Sequence, residues 1–492
     1  MTGGVVAFPS MPPFDLAAAA HREMIERGFV PDIPPDVRAQ AESLPSSLPD
    51  LNGSVRDLRG LPWSSIDNDE SRDLDQIEVA ERVNGATRVR IGIADVAAAA
   101  PKDSPIDRYA ATETTTVYAG IRIFPMLPER LSTGLTSLLE GEERLALVIE
   151  FEVASDGTMT PGDVYRARVR NRAQLTYSAV GPWLEGAAAP PQALGSPEIT
   201  EQLQIQDAAA RALCEARHRL GALSFDRVEV QADFRDGHIA GIHARRTNRA
   251  AQLIEDFMIA ANETMAQVLA RAGIASIRRV VKAPERWPRI VELARHAGGN
   301  LPPQPDSGAL NAFLLARKAA DPLHYPDLSL AVLKLMGSGE YAVARPGGEG
   351  AGHFGLAAHD YTHSTAPNRR FADLVTQRLV TAVLARSSCP YTEDELGVIA
   401  ADCTRKEDAA RKVQRDMNKR IAAVAMSARV GQTFPAVVTG VVERKGVFVR
   451  VIDPPVEGRL MEGERGLDVG DRIRVRLVKT DPERGFIDFA KE

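Results

Sequence analysis

The chain has 492 residues, 44% hydrophobic and 26% charged, an ordinary balance for a folded globular protein and enough length for about three domains. Its net charge of -6 excludes a uniformly basic nucleic-acid coat but leaves room for a local basic channel. Three cysteines, Cys214, Cys389 and Cys403, with no CxxC pair, exclude a disulfide framework and a thiolate zinc site. A reducing cytoplasm is the expected compartment. Neither a bilayer-spanning apolar run nor a basic-then-apolar leader is present, so no membrane association is expected.

Residues 1–58 are rich in Pro and Ala, with one helix expected over Phe14–Arg27 and a second over Pro35–Leu44 that has Pro at its start. The segment breaks at Leu48-Pro49-Asp50 and reads as a helical arm or a small winged-helix-like module. Strands follow: Ile77–Val83, then Thr87–Val96, then the apolar run Arg144–Ala154. Val164–Arg170 alternates, with Arg166, Arg168 and Arg170 on one face and Tyr165, Ala167 and Val169 on the other. Phe124–Pro128 reads as an irregular loop and Gly186–Pro197 as a Pro/Ala-rich linker. An amphipathic helix is expected over Ile199–Leu220, and a strand pair over 224–244 turning at Asp236-Gly237. Arg249–Ala270 carries Ile254, Met258, Ala261 and Met265 at helical spacing, which puts Glu255 and Asp256 inside the fold as an expectation. Further helices run through Lys318 and over Leu328–Met336. The Gly-rich loop Pro346–Gly352 lacks both GxGxxG and a Walker Lys-Ser/Thr, so it is not read as a nucleotide site. Helices are expected from Asn368 to Arg386 and over 393–428.

Two stretches carry chemistry. Ile66–Gln76 holds five acidic residues in eleven positions and runs into a strand. Such acids repel one another, so the stretch is either a solvated loop or a site where a hard divalent cation cancels the repulsion. On spacing alone the solvated loop is the commoner outcome. The second stretch, Tyr361–Asp373, contains Arg369-Arg370 at an expected helix start, where free N–H groups and guanidinium forks both suit phosphate. A solvated helix end is the alternative. His359 and His363 are four apart, but without an HExxH pattern a zinc site is not expected.

The last 65 or so residues contain five short strands, Gly431–Val442, Gly446–Val451, Gly458–Met461, Arg472–Val478 and Gly485–Phe489. That is the strand count of an OB barrel. Arg472, Arg474 and Arg476 share one strand face while Ile473, Val475 and Leu477 share the other. Phe448 is either a base-stacking aromatic or a core residue.

Taken in order, these pieces resemble the catalytic domain of the ribonuclease II family, the RNB domain. The resemblance rests on Ile66-Asp67 with Asp73-Leu74-Asp75, Ile93-Ala94-Asp95-Val96, Val117-Tyr118 with Pro125–Pro128 and Leu131-Ser132, Leu175-Thr176-Tyr177, Ile254–Met258 with Ala261-Asn262, His353–Leu356, and Tyr361–Asp373. It implies an α+β protein: a helical N-terminal segment at 1–58, a mixed α/β RNB domain at 59–426 and a five-stranded OB-fold barrel at 427–492. It also implies a 3′→5′ exoribonuclease that releases nucleoside 5′-monophosphates from single-stranded RNA. By resemblance, Mg²⁺ (or Mn²⁺) sits among Asp67, Asp73, Asp75 and Gln76, while Asp69 and Glu70 lie outside the metal shell. Asp75, Asp73 and Arg369 carry catalysis, with Arg369 on the scissile phosphate. Implied RNA contacts are Tyr118, Tyr177, Phe225, His363, Thr365, Pro367, Arg369, Arg370, Arg472, Arg474 and Arg476. Stacking aromatics of this kind hold bases without reading them. A monomer is expected, since one chain completes such a site.

The chain also departs from the family. Gln76 stands where a fourth acid is usual, and Gln414 lies where many members have Glu. Ser364, Ala366 and Asn368 replace the usual Phe, Ser and Ile, and Gly92 replaces a common His. The 58 or so N-terminal residues are too few for two cold-shock barrels. An alternative reading is therefore an RNA-binding or regulatory protein on a catalytically weakened scaffold. A small-molecule metal hydrolase is a third, but it leaves the terminal barrel unexplained.

Overall fold

A computed structural model describes residues 14–48, 55–187, 196–225, 228–235, 238–321, 325–348, 352–442 and 446–492. The expected turn at Asp236-Gly237, the break at Pro49-Asp50, most of the Gly186–Pro197 linker and part of the Pro346–Gly352 loop lie outside these residues.

Two short helices come first, α1 (Leu16–Glu26) and α2 (Pro35–Ser43). Asp15 caps α1 by accepting from the Ala18 N–H, and Pro35 opens α2 where its missing N–H costs nothing. The main sheet is built from β1 (Arg56–Asp57), β2 (Ser64–Asp67), β3 (Gln76–Val83) and β4 (Ala86–Ala94), then, after α3 (Pro105–Glu113) and the small hairpin β5 (Val117–Tyr118) and β6 (Ile123–Phe124), from β7 (Glu143–Val153), β8 (Met159–Arg170) and β9 (Ala173–Thr176). Its strand order is β1-β8-β7-β4-β3-β2-β9. The strand β2 is antiparallel to β3 and parallel to β9, pairing Ser64 with Glu78 and Asp67 with Thr176. This register brings the acidic stretch to one end of the sheet.

The short helix α4 (Tyr177–Leu184) leads to α5 (Pro197–Arg219), the hairpin β10 (Val228–Arg235) and β11 (His238–Arg246), and α6 (Arg249–Arg271). The helices α5 and α6 cover one face of the sheet. Gln202 on α5 bonds both backbone groups of Ala80 on β3 (2.8 Å each), and Phe257 on α6 meets Phe151 on β7 edge-on at 6.4 Å. Asp256 is buried between Arg217 and Arg249, but Glu255 is exposed, contrary to the expectation that both are inside. Neighbouring positions on a helix point about 100° apart, so one faces the sheet and the other solvent.

The strand β12 (Ser276–Val280), the helical cluster α7 (Trp287–His296), α8 (Ser307–Ala320) and α9 (Tyr325–Met336), and β13 (Glu340–Ala344) follow; β12 and β13 pair. The cluster has its own core of Trp287, Ile290, Leu310, Leu314 and Val332. Then come α10 (Phe371–Leu384) and the 35-residue α11 (Glu393–Ser427), whose start is fixed by a capping box between Thr392 and Glu395. The helix α10 starts three residues later than Asn368. Ala366 C=O accepts from both Arg369 N (3.1 Å) and Arg370 N (2.9 Å), so a turn precedes the helix.

The chain ends in a closed barrel of β14 (Thr433–Val442), β15 (Gly446–Val451), β16 (Glu457–Glu462), β17 (Arg472–Asp481) and β18 (Phe486–Lys491), in the order β14-β15-β16-β18-β17. Alternate residues Val447, Val449 and Val451, with Val475 and Leu477, fill it. Arg472, Arg474 and Arg476 point outward and are exposed. Phe448 also falls on the outward face, half-buried, with Arg459 as its partner on β16. Ala423 and Met426 of α11 are buried in the barrel core, so barrel and catalytic domain share one continuous helix.

Candidate active site

The acidic stretch is a turn clamped at both ends rather than a free loop. At its start, Asp67 Oδ1 accepts from Asn68 N (3.0 Å) and Ser71 Oγ (2.9 Å), the local bonding that favours Asp in turns. At its end, Leu74 is fully buried; its N–H donates to Ser137 Oγ (2.9 Å) and its C=O accepts from Leu138 N (3.0 Å). Asp69 and Glu70 are exposed, and Ser178 Oγ donates to Asp69 Oδ1 (2.5 Å).

Asp75 enters β3 with 1% of its surface exposed. Its Oδ1 accepts from the Asn368 N–H (3.0 Å) and its Oδ2 from Arg369 Nε (3.0 Å). The turn before α10 thus spends its N–H groups on carboxylates, since the Ala366 N–H likewise donates to Asp373 (2.8 Å). Burial pushes the Asp75 carboxyl up to about 7; Arg369 and the Asn368 N–H pull against that, and Asp73 adds to it. Asp73 is raised as well, by burial first and by Asp67, with Arg369 opposing. Asp67, Asp73, Asp75 and Tyr118 all act on the Arg369 charge, so the five groups form one electrostatic cluster. The Arg369 side chain is 46% exposed, which leaves guanidinium surface open to solvent beyond its bond to Asp75.

The other expected residues divide. Tyr118, at the end of β5, is 38% exposed and within electrostatic reach of Arg369 and the three aspartates. Tyr177 opens α4 directly after Thr176, the β9 partner of Asp67. Gln76 is buried, and its Nε2 donates to Asp67 Oδ2 (3.3 Å), so the amide steadies the carboxylate it adjoins. Arg370 is turned to the buried Asp373 (Nη2–Oδ1 2.7 Å), neither a solvated helix end nor a second solvent-facing fork. Its role is to hold the turn. His363 bonds Tyr341 OH through Nδ1 (2.8 Å) and meets Tyr341 and Tyr361 edge-on, at 5.5 and 5.8 Å. Burial, with Arg370 and Arg279 behind it, lowers the His363 pKa well below the ordinary range, so the ring is neutral. Thr365 and Pro367 are buried in the same segment. Phe225 is half-buried against the core of the α7–α9 cluster. Gln414 is exposed on α11.

Sequence reasoning passed over a group that builds the site and a buried acid on β3. The Asn368 main-chain N–H binds Asp75, and no side-chain pattern signals that. Glu78 is fully buried on β3 with neither carboxylate oxygen bonded. The alternation of the strand places it on the face of Gln76, a signal that was available.

The donor set suits a hard divalent cation: three carboxylates and an amide, all oxygen-bearing, with Asp73 and Asp75 both raised in pKa where a cation would lower it. Among the described residues no three Asp, Glu, His or Cys side chains converge closely enough to coordinate an ion as they stand. The fit is one of donor chemistry, and Arg369 occupies part of Asp75.

A mixed sheet ends in this cluster, and one helix couples it to a barrel with a basic outer stripe. A family model described as the RNB domain matches residues 55–386, more than half of the chain. A second, the RNase II-type exonuclease C-terminal S1 domain, matches residues 432–492. The chain belongs to the RNB-domain family. Ribonuclease R of Thermotoga maritima is 30% identical over 496 residues, covering 93% of this chain and 68% of that protein. Against the ribonucleases R of Lactococcus lactis and Escherichia coli, the chain spans 59% and 60% of their length. Among solved structures, Mycoplasma genitalium RNase R in complex with ribose-methylated single-stranded RNA shares the fold with a TM-score of 0.86 at 21% identity, covering 97% of this chain and 78% of that one. Yeast Ssd1, described as a pseudonuclease, shares it with a TM-score of 0.72 at 20% identity, covering 91% and 56%. A shared fold does not fix function, which leaves function to the site.

Proposed function

We propose that the chain is a 3′→5′ exoribonuclease that hydrolyses single-stranded RNA and releases nucleoside 5′-monophosphates, with Mg²⁺ or Mn²⁺ held by Asp67, Asp73 and Asp75. The observation that carries this is the pairing of buried Asp75 with half-exposed Arg369 inside the carboxylate cluster. When bound, divalent ions at such a site lower the pKa of an attacking water and neutralise the leaving 3′-oxygen.

The chain's own groups do the rest. Asp75, held by the Asn368 N–H, gives the cluster a fixed oxygen. Arg369 keeps its charge at any pH, and its planar fork suits two oxygens of the scissile phosphate. Tyr118 offers an exposed aromatic face beside Arg369, and Tyr177 begins the helix next to Asp67, so both suit bases flanking the cut without selecting among them. The exposed arginines on β17 add sequence-independent attraction for the backbone. No helix among the described residues is long and apolar enough to cross a membrane. A single chain supplies every group named, which supports action as a monomer.

The test is 5′-labelled single-stranded RNA with the purified protein and Mg²⁺ or Mn²⁺. Products shortening from the 3′ end, absent in Asp75→Asn, support the reading. A second reading, RNA binding without cleavage, is favoured by Gln76 at an acid's position and by the Arg369 bond that occupies Asp75. Binding with no shortening in either metal selects it.

A further inference from the structure

We propose that Glu113 is a positioning residue for Arg369: it ties the N-terminal helices to the strand that clasps the Arg369 main chain. The inference rests on the nuclease reading above and extends its machinery to the N-terminal segment.

The clasp is made of main-chain bonds. Thr116 N donates to Arg369 C=O (2.9 Å), Phe371 N donates to Thr114 C=O (2.8 Å), and Thr115 is the bridge partner of Arg370. The same stretch runs on into β5 and Tyr118. Arg369 thus has its main chain fixed by residues 114–116 and its side chain by Asp75. A shift of the strand is a shift of the guanidinium.

The strand emerges from α3, and the N-terminal segment grips α3 at both ends. At its start, Ile106 N donates to Gln40 Oε1 of α2 (2.8 Å). At its end, Val30 N donates to Glu113 Oε1 (2.9 Å), and Tyr109 OH donates to Val30 C=O (3.2 Å). Lys406 of α11 completes the seat: its Nζ donates to Gly28 C=O (2.6 Å) and lies 4.4 Å from the centre of the Phe29 ring. Glu113 and Lys406 are 3% and 4% exposed. An acid in the last turn faces the negative end of the helix dipole, which disfavours it. The Val30 N–H is the bond that compensates Glu113.

Directly after Glu113 comes Thr114, a β-branched residue at φ 57°. That left-handed conformation is strained for threonine and persists only where its surroundings impose it. Thr114 N still closes α3 on Ala110 C=O (2.7 Å), while its C=O already belongs to the clasp. The reversal from helix to strand is one residue long, pinned by Glu113 before it and by the Phe371 N–H beyond it.

The test is a pair of measurements on the full chain. Amide exchange without metal or RNA, read by mass spectrometry over peptides spanning 114–118 and 366–371, reports the clasp. Glu113→Ala is expected to speed exchange there roughly 5- to 10-fold, the worth of one lost hydrogen bond, while Glu113→Gln keeps an acceptor oxygen and stays near wild type. Single-turnover shortening of saturating 5′-labelled RNA with Mg²⁺ or Mn²⁺ reports the reaction. Glu113→Ala should be roughly 10- to 100-fold slower with RNA affinity within about twofold, and Glu113→Gln within about threefold of the wild-type rate. In an Arg369→Lys background Glu113→Ala should add little, because the fork it aligns is gone. If Glu113→Ala melts below the assay temperature, Tyr109→Phe, which deletes only the hydroxyl bond to Val30, takes its place, with an expected loss of about 2- to 5-fold. Unchanged exchange in the folded variant, equal losses in the alanine and glutamine variants, or losses that multiply with Arg369→Lys each overturn the proposal. Faster exchange in Glu113→Ala beside a wild type that shortens no RNA refutes the nuclease reading and supports the clasp.

Discussion

Asp75 is the residue on which most of the site depends. Its carboxyl is buried, accepts from one main-chain N–H and one guanidinium, and is raised to about 7. A carboxyl with a raised folded-state pKa keeps its proton where the unfolded chain has lost it. Its ionisation therefore costs stability progressively as pH rises from the ordinary carboxylate range to about 7, and nothing further above that. In the metal-free protein, the loss of melting temperature between about pH 4 and 7 is expected to be smaller in Asp75→Asn, as pH-dependent calorimetry would show. Arg369→Lys keeps a positive charge but loses the fork, so RNA shortening should fall roughly 10²- to 10³-fold while binding changes far less. Single-turnover kinetics separates the two; a fall in affinity alone would count against the phosphate-clamping role. The acids of the stretch were visible in the sequence, but spacing alone favoured a solvated loop, and the cation site was implied only by the ordered motifs downstream. That Asn368 contributes its N–H, and that Arg370 turns away to Asp373, was not visible, since both follow from the path of the turn before α10.

At the scale of elements, β17 and α6 show two uses of charge. On β17 the arginines alternate with barrel-filling Val475 and Leu477, so the period of two alone settles which face is basic. If Arg472, Arg474 and Arg476 each meet a phosphate, replacing all three by alanine should lower the slope of log affinity against log salt by about 2. Fluorescence anisotropy with labelled single-stranded RNA at several salt concentrations measures this. On α6, by contrast, buried Asp256 takes Arg217 of α5 and stands 3.7 Å from Arg249. Asp256→Ala leaves half-buried Arg217 without its buried acid, and about 3 kcal/mol of stability should be lost in urea denaturation. Helical spacing located this residue, but its tripling with two arginines came from the parallel docking of α5 beside α6.

At the scale of the whole molecule, α11 joins three parts. Its middle, through Val413, Met417 and Ile421, packs with Leu16, Ala20 and Met24 of α1. Its C-terminal end enters the barrel through Ala423 and Met426. Glu23 of α1 reaches both Arg27 and Arg420 (2.9 and 3.0 Å), which ties the N-terminal segment to the same helix. Met24 is 0% exposed, so Met24→Ala should cost about 2–5 kcal/mol, read as a lower melting temperature. If that variant melts like the wild type, α1 is not part of the cooperative unit.

Periodicity in the chain determined most of the helices, the main strands and the five-stranded barrel, because burial of one face demands a period of 3.6 or 2 whatever the fold around it. Ordered motifs, from Asp67 to Asp373, also determined the family. Tertiary structure alone decided how those motifs meet. Residues 75 and 369 lie 294 positions apart and touch only because β3 and the turn before α10 arrive at the same end of the sheet. It also decided that Glu78 is sealed without a partner, since a strand's alternation names the face of a residue but not what covers it. Burial and pairing are properties of the folded neighbourhood, and they turn a row of acids into a site.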